Sequence, residues 1–250
     1  MTTADKIETW LVDNAKLVVA LFIGVLVIGG VLAGYQAYSS ARENKAQETL
    51  FEIEADLEKK QQALFEVENK QKQEASKNKA AKKTETAAPV RNPETLQKDL
   101  GEPLTRLVSF IDQNKGSKAS YMAAMTASDL YLEYKDPSQA AQLLEKVAPH
   151  VNKKDLFYGL LNSQLALAYS NANECPKAVD VYDDIIDSEA QKHIHAQMIL
   201  RKGVCLMSMK EYDKAKAAFR QAKTDFPDSV SGKSAESFER LINVKKGVVK

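Results

Sequence analysis

Cys175 and Cys205 are the two cysteines of this 250-residue chain, and His193 and His195 stand between them. Thiols and imidazoles can hold a metal, attack an electrophile or exchange electrons, so their spacing is weighed first. The two histidines are two residues apart. On a helix they point to different faces and cannot share a metal as an i, i+4 pair does, and no carboxylate constellation lies nearby to complete a site. The stretch Ser231-Gly232-Lys233-Ser234 ends like a phosphate-binding loop, but Pro227 occupies the place of the first glycine and no strand pattern precedes it. Helix capping and turn formation explain it better. The sequence has no G-x-S-x-G, no H-E-x-x-H and no Gly-rich dinucleotide turn. Its many carboxylates fall on the polar sides of helical patterns. The expectation is a chain that is not an enzyme and uses no cofactor and no metal.

The elements that must position these residues are helical. Alanine, leucine, lysine, glutamate and glutamine dominate, and all are strong helix formers. No run alternates apolar and polar residues with β-branched enrichment, as a half-buried strand would. An all-α fold is predicted. The 35 Lys and Arg nearly balance the 34 Asp and Glu, so the basic excess that neutralises phosphates is absent and nucleic acid is not an expected partner.

Leu17 to Tyr35 runs nineteen residues without a charge. At the helical rise that is about 28 Å, close to the ~30 Å hydrocarbon core of a bilayer. Trp10 before it, with Tyr35 and Tyr38 at its far end, suits the membrane interface. A cleaved signal peptide is the rival reading, with AYSSA as its cutting site, but its apolar region is usually shorter, at about 7–15 residues. An uncut anchor is expected. Gly30 and Gly34 form a GxxxG pair that would let two membrane helices approach closely, although glycine is also common in such helices. Lys6 and Lys16 on one side and Arg42 and Lys45 on the other leave the orientation open.

Beyond the span, Leu50, Ile53, Leu57, Leu64 and Val67 keep a/d spacing with Lys60 interrupting one d position. They predict a short amphipathic helix that packs on the following domain or pairs with a partner as a coiled coil. The lysine-rich, apolar-poor stretch after it is expected to be a flexible linker, with Asn92 capping a helix that starts at Pro93. The predicted organisation is a tail over 1–16, a membrane helix over 17–35, the amphipathic helix over 36–73, the linker over 74–92 and a repeat domain over 93–245.

Within that domain Ala196–Ser229 places Ile199, Gly203 and Leu206 on one helix. Ala215, Phe219, Ala222 and Pro227 mark a second. Small residues allow two antiparallel helices to cross closely, a ring fills the space beside them, and proline ends the run. A 34-residue unit of this kind resembles a tetratricopeptide repeat. Lys202 stands where a leucine is usual. Earlier units at about Tyr158–Ser188 and Tyr121–Val151 repeat the scheme, with marker alanines Ala140, Ala178 and Ala215 placed 38 and 37 residues apart. Three such units meet the minimum for a stacked solenoid, and Ser231–Asn243 would cap it.

In such a stack the first helices line the concave side. By repeat position that side carries Met122, Met125, Leu132, Leu167, Asn171, Leu200, Val204 and Met207, an apolar groove suited to an amphipathic segment or a partly folded chain, since methionine tolerates varied partners. Ordinary core is the alternative for any one of them. Cys175 falls at a turn between helices and Cys205 late in the next first helix, near the same end of the stack. An oxidising compartment would permit a disulfide; two unpaired, partly buried thiols are the other reading.

The plan of tail, single membrane helix and repeat hairpins resembles the membrane-anchored, YfgM-like family of ancillary translocon subunits. The resemblance implies a bacterial inner-membrane protein with a short cytoplasmic tail and a periplasmic repeat domain. Its implied partners are proteins: the Sec channel, periplasmic chaperones or client polypeptides. The rival is an oligomeric scaffold that organises the cell envelope through the Leu50–Val67 helix, without a link to secretion.

Overall fold

A computed structural model describes residue 10 and residues 14–78 and 90–245. Every regular element in it is helical, as the composition predicts. The chain divides into two compact units, Met1–Glu48 and Thr49–Lys250.

Helix α1 spans Ala15–Asn78. In the first unit its side chains from Ile23 to Tyr38 stand exposed although most are apolar, among them Val25, Ile28, Val31 and Leu32. Open space surrounds Gly24, Gly29, Gly30 and Gly34. Among the described residues α1 is the one helix long and apolar enough to cross a membrane. It also continues to Asn78, into the stretch expected to be linker, whose residues 79–89 lie outside the described residues. Most of the expected tail lies outside them too.

In the second unit α1 from Thr49 onward runs antiparallel to α2 (Pro93–Gln113). Asp56 meets Arg106 at 3.2 Å and Lys60 meets Glu102 at 2.5 Å, while Thr126 of the next helix donates to Glu54 at 3.1 Å. Leu50, Ile53 and Leu57 are buried, Leu64 is half-buried and Val67 is exposed. The a/d stripe is thus largely occupied inside the chain, and Lys60, its interruption, pairs with α2. Asn92 caps α2 through a capping box with Thr95, its side chain accepting from Thr95 N at 2.9 Å.

Three hairpins follow: α3 (Lys118–Glu133) with α4 (Pro137–Val147), α5 (Leu156–Asn171) with α6 (Cys175–Ile186), and α7 (His195–Ser208) with α8 (Tyr212–Asp225); α9 (Val230–Lys245) closes the stack. From α2 onward each helix packs on its successor, first helices also touch along α3–α5 and α7–α9, and this is the arrangement of a solenoid. Proline sits in the first turn of α2, α4 and α6, where its missing N–H costs no bond.

The turns inside the three hairpins are copies of one another. Lys135, Asn173 and Lys210 all have φ of 63–64°. In each the residue after it donates back to the helix: Asp136 N to Tyr131 O at 2.7 Å, Glu174 N to Tyr169 O at 2.8 Å, Glu211 N to Leu206 O at 2.9 Å. That is a left-handed C-terminal cap repeated at the spacing of the marker alanines. Ala140, Ala178 and Ala215 are themselves fully buried, with 0% of their surface exposed.

The last hairpin shows why the small residues are needed. A Cβ on Gly203 would stand 2.5 Å from the Phe219 ring, so glycine is what lets α7 and α8 meet there. Phe219 is fully buried and stacks on Phe238 of α9 at 5.2 Å between centroids; that burial contributes about 1.5–3 kcal/mol. Ser229 accepts from Gly232 N at 2.9 Å, which places Ser231–Ser234 in the first turn of α9 rather than in a phosphate loop.

Candidate protein-binding surfaces

The first-helix face of the solenoid is built by α3, α5 and α7, and all eight groove residues expected from the sequence lie on these helices. Met122 and Asn171 are exposed; Met125, Leu132, Leu167, Leu200, Val204 and Met207 are half-buried. Half-burial follows from geometry: a first helix turns one side to its own hairpin and part of another to the next first helix. Between α3 and α5 the gap is bridged by Gln164, which donates to Met125 O at 3.2 Å and to the Asp129 carboxylate. Burial holds the Asp129 carboxyl above the ordinary carboxylate range, and the bond from Gln164 pulls partly against it. Toward the C-terminus the surface is tighter. Leu200, Val204 and Met207 pack against the cluster formed by Ile199, Leu206, Phe219, Ala222, Ala235 and Ile242.

A second surface lies where α6, α7 and α8 meet, and the repeat pattern did not point to it. A cavity of about 520 Å³ opens there over an apolar floor of Pro176, Val179, Leu206, Met209 and Ala218. Its rim is charged with both signs. Lys202 pairs with Asp183, Lys214 pairs with Glu211 at 2.6 Å, and Asp180 completes the edge. The one sequence signal for this surface was Lys202, standing where a leucine is usual: its stem is half-buried and its ammonium reaches the carboxylate of the preceding hairpin. An apolar floor with alternating charges around it suits an amphipathic peptide segment.

Next to this cavity Cys175 and Cys205 come together. Both are buried, and their sulfurs stand 2.6 Å apart as free thiols. Ser208 Oγ lies 3.1 Å from Cys175 Sγ, and Cys205 Sγ lies 3.3 Å from Ser170 Oγ. Burial, with the Cys175 thiol beside it, pushes the Cys205 thiol up to about 12. The histidines separate in role: His193 is exposed, whereas His195 is buried with Nε2 3.0 Å from Ser188 O. Among the described residues no three His, Cys, Asp or Glu side chains are grouped to hold a metal ion.

Comparison with known proteins agrees with this architecture. The tetratricopeptide repeat family matches residues 197–229, inside the unit read from the sequence as Ala196–Ser229. Among solved structures, a kinesin-light-chain-like protein of Podosopora anserina with nearly identical TPR-like repeats is 11% identical, with a TM-score of 0.51 over 62% of this chain and 83% of that one. A single-residue variant of it is 14% identical, with a TM-score of 0.50 over 62% and 82%. No curated protein matches the sequence. At these identities the likeness is one of fold. The chain is an all-α, TPR-like helical solenoid preceded by one long apolar helix, and such repeats make it a protein-interaction scaffold.

Proposed function

We propose that this protein is a membrane-tethered scaffold of the bacterial cell envelope, single-pass in the inner membrane, with its solenoid in the periplasm. There it serves as an ancillary factor at the Sec translocon, recruiting periplasmic chaperones or client polypeptides. The observation that carries the tether is the exposed apolar surface of α1 from Ile23 to Tyr38, which water would not tolerate uncovered. The scaffold role rests on the solenoid and its two surfaces, the first-helix face from Met122 to Met207 and the cavity at α6–α8.

Two measurements test the reading together. A reporter fused after Lys250 and protease treatment of spheroplasts should place the solenoid outside the cytoplasm. A photoreactive residue at Leu167 on one surface, or at Val179 on the other, should capture translocon subunits or periplasmic chaperones. A cytoplasmic solenoid, or captures free of secretion components, would defeat it. The rival, an oligomeric envelope organiser, loses its first proposed contact because Leu50, Ile53 and Leu57 are buried inside the chain. What remains to it is the uncrowded Gly30–Gly34 face as a helix-packing site in the bilayer.

A further inference from the structure

Cys175 opens the first turn of α6 and Cys205 lies near the end of α7, so the two thiols belong to successive hairpins. Their sulfurs are 2.6 Å apart, and closing that gap to a bond of about 2.05 Å asks for a small shift. Hydroxyls of Ser170 and Ser208 flank the pair. The residues that follow each cysteine, Pro176 and Leu206, are part of the wall of the cavity at α6–α8. We infer that Cys175 and Cys205 are an oxidation site, closing to an intramolecular disulfide that fastens the second hairpin to the third at the wall of that cavity. This holds whether or not the translocon assignment does, because the placement of the thiols does not depend on the compartment; what the compartment sets is how much of the protein carries the bond.

The oxidant is a second disulfide, either a thiol–disulfide oxidoreductase or a small-molecule disulfide. Cys175 is the more exposed of the two and sits at a helix start, which opens more readily than a helix interior. Its thiolate attacks the oxidant's disulfide, forming a mixed disulfide and releasing one oxidant thiol. Cys205, whose burial keeps its proton on, gives that proton to solvent and attacks the Cys175 sulfur, displacing the second oxidant thiolate, which takes up a proton. Two protein thiols are oxidised to one disulfide, and one oxidant disulfide is reduced to two thiols. The 31-residue loop from Cys175 to Cys205 is then closed in the unfolded chain as well, which removes entropy from it.

The test uses the full chain in detergent, reduced, desalted and then exposed to oxidised glutathione. Free thiols are counted after denaturation and the products mapped by mass spectrometry. Both thiols should disappear together into one cross-linked peptide pair within a single chain, and dithiothreitol should restore both. The melting temperature of the oxidised protein should rise by about 5–10 °C. In Cys205→Ser, Cys175 should retain glutathione as a stable adduct, because no second thiol resolves it. Two persistent free thiols would overturn the inference, and so would glutathione held on one cysteine of the wild type, a bond only between chains, or a fall in melting temperature.

Discussion

Gly203 and Phe219 meet at a distance that a methyl group would abolish, and the phenyl ring has no exposed side toward which to retreat. Gly203→Ala should therefore destabilise the last hairpin by about 1–3 kcal/mol, the usual cost of overpacking a filled core. A lower urea midpoint, with amide exchange accelerating first in α7 and α8, is the expected readout. Lys210 offers the opposite case. Its φ of 64° is a conformation that costs most L residues energy and glycine none. Lys210→Gly should stabilise by about 0.5–1 kcal/mol, whereas Lys210→Val should destabilise, since branching at Cβ worsens the same clash. Both are read as shifts in thermal midpoint. Asn173 holds the equivalent place in the second hairpin with a side chain that tolerates it better, so its replacement by glycine should gain less.

Among the elements, α1 is the one whose role changed most between sequence and structure. Its a/d stripe reads equally well as a docking face or as a coiled-coil seam. The antiparallel pairs Asp56–Arg106 and Lys60–Glu102 show what the stripe does: from Thr49 onward α1 is the first helix of a hairpin whose second helix is α2. Ile53→Ala with Leu57→Ala should then loosen α2 and cost about 2–5 kcal/mol for each residue, while leaving the oligomeric state as it was. Hydrogen exchange over Pro93–Gln113 and sedimentation velocity distinguish this from a coiled coil, in which the oligomer would dissociate and α2 would stay protected. The ion pairs beside the stripe are exposed and contribute little on their own.

For the molecule as a whole, the stack needs an end that faces water. Helix α9 supplies Ala235, Phe238 and Ile242 to the terminal core, while Lys233, Glu236 and Arg240 face water beside the exposed Leu241 and Val244. Ending the chain after Ser229 would bare Phe219 and Ala222, and such a truncation should melt the third hairpin and self-associate, as seen by circular dichroism and light scattering. The charged rim at α6–α8 belongs to this scale too, because it is made by two hairpins together. Lys202→Leu restores the residue usual in the repeat and should leave stability within about 0.5 kcal/mol. It should also weaken capture of a partner by a photoreactive residue at Val179 while leaving capture at Leu167 unchanged.

The sequence by itself determined the helical class, the apolar span, the hairpin periodicity and the small residues at helix crossings. Each of these is a local property: propensity, hydropathy and spacing act within a few turns of one chain segment. The capping of α2 by Asn92 was legible for the same reason. Tertiary structure alone decided what lies between segments. It set the sulfurs of Cys175 and Cys205, which repeat position places only near the same end of the stack, 2.6 Å apart, packed Leu200, Val204 and Met207 against the terminal core, turned the a/d stripe of α1 onto α2, and opened a cavity under Lys202. Periodicity states which face of a helix is apolar, but the neighbour that covers that face is selected by how successive hairpins stack, and no single repeat contains that information.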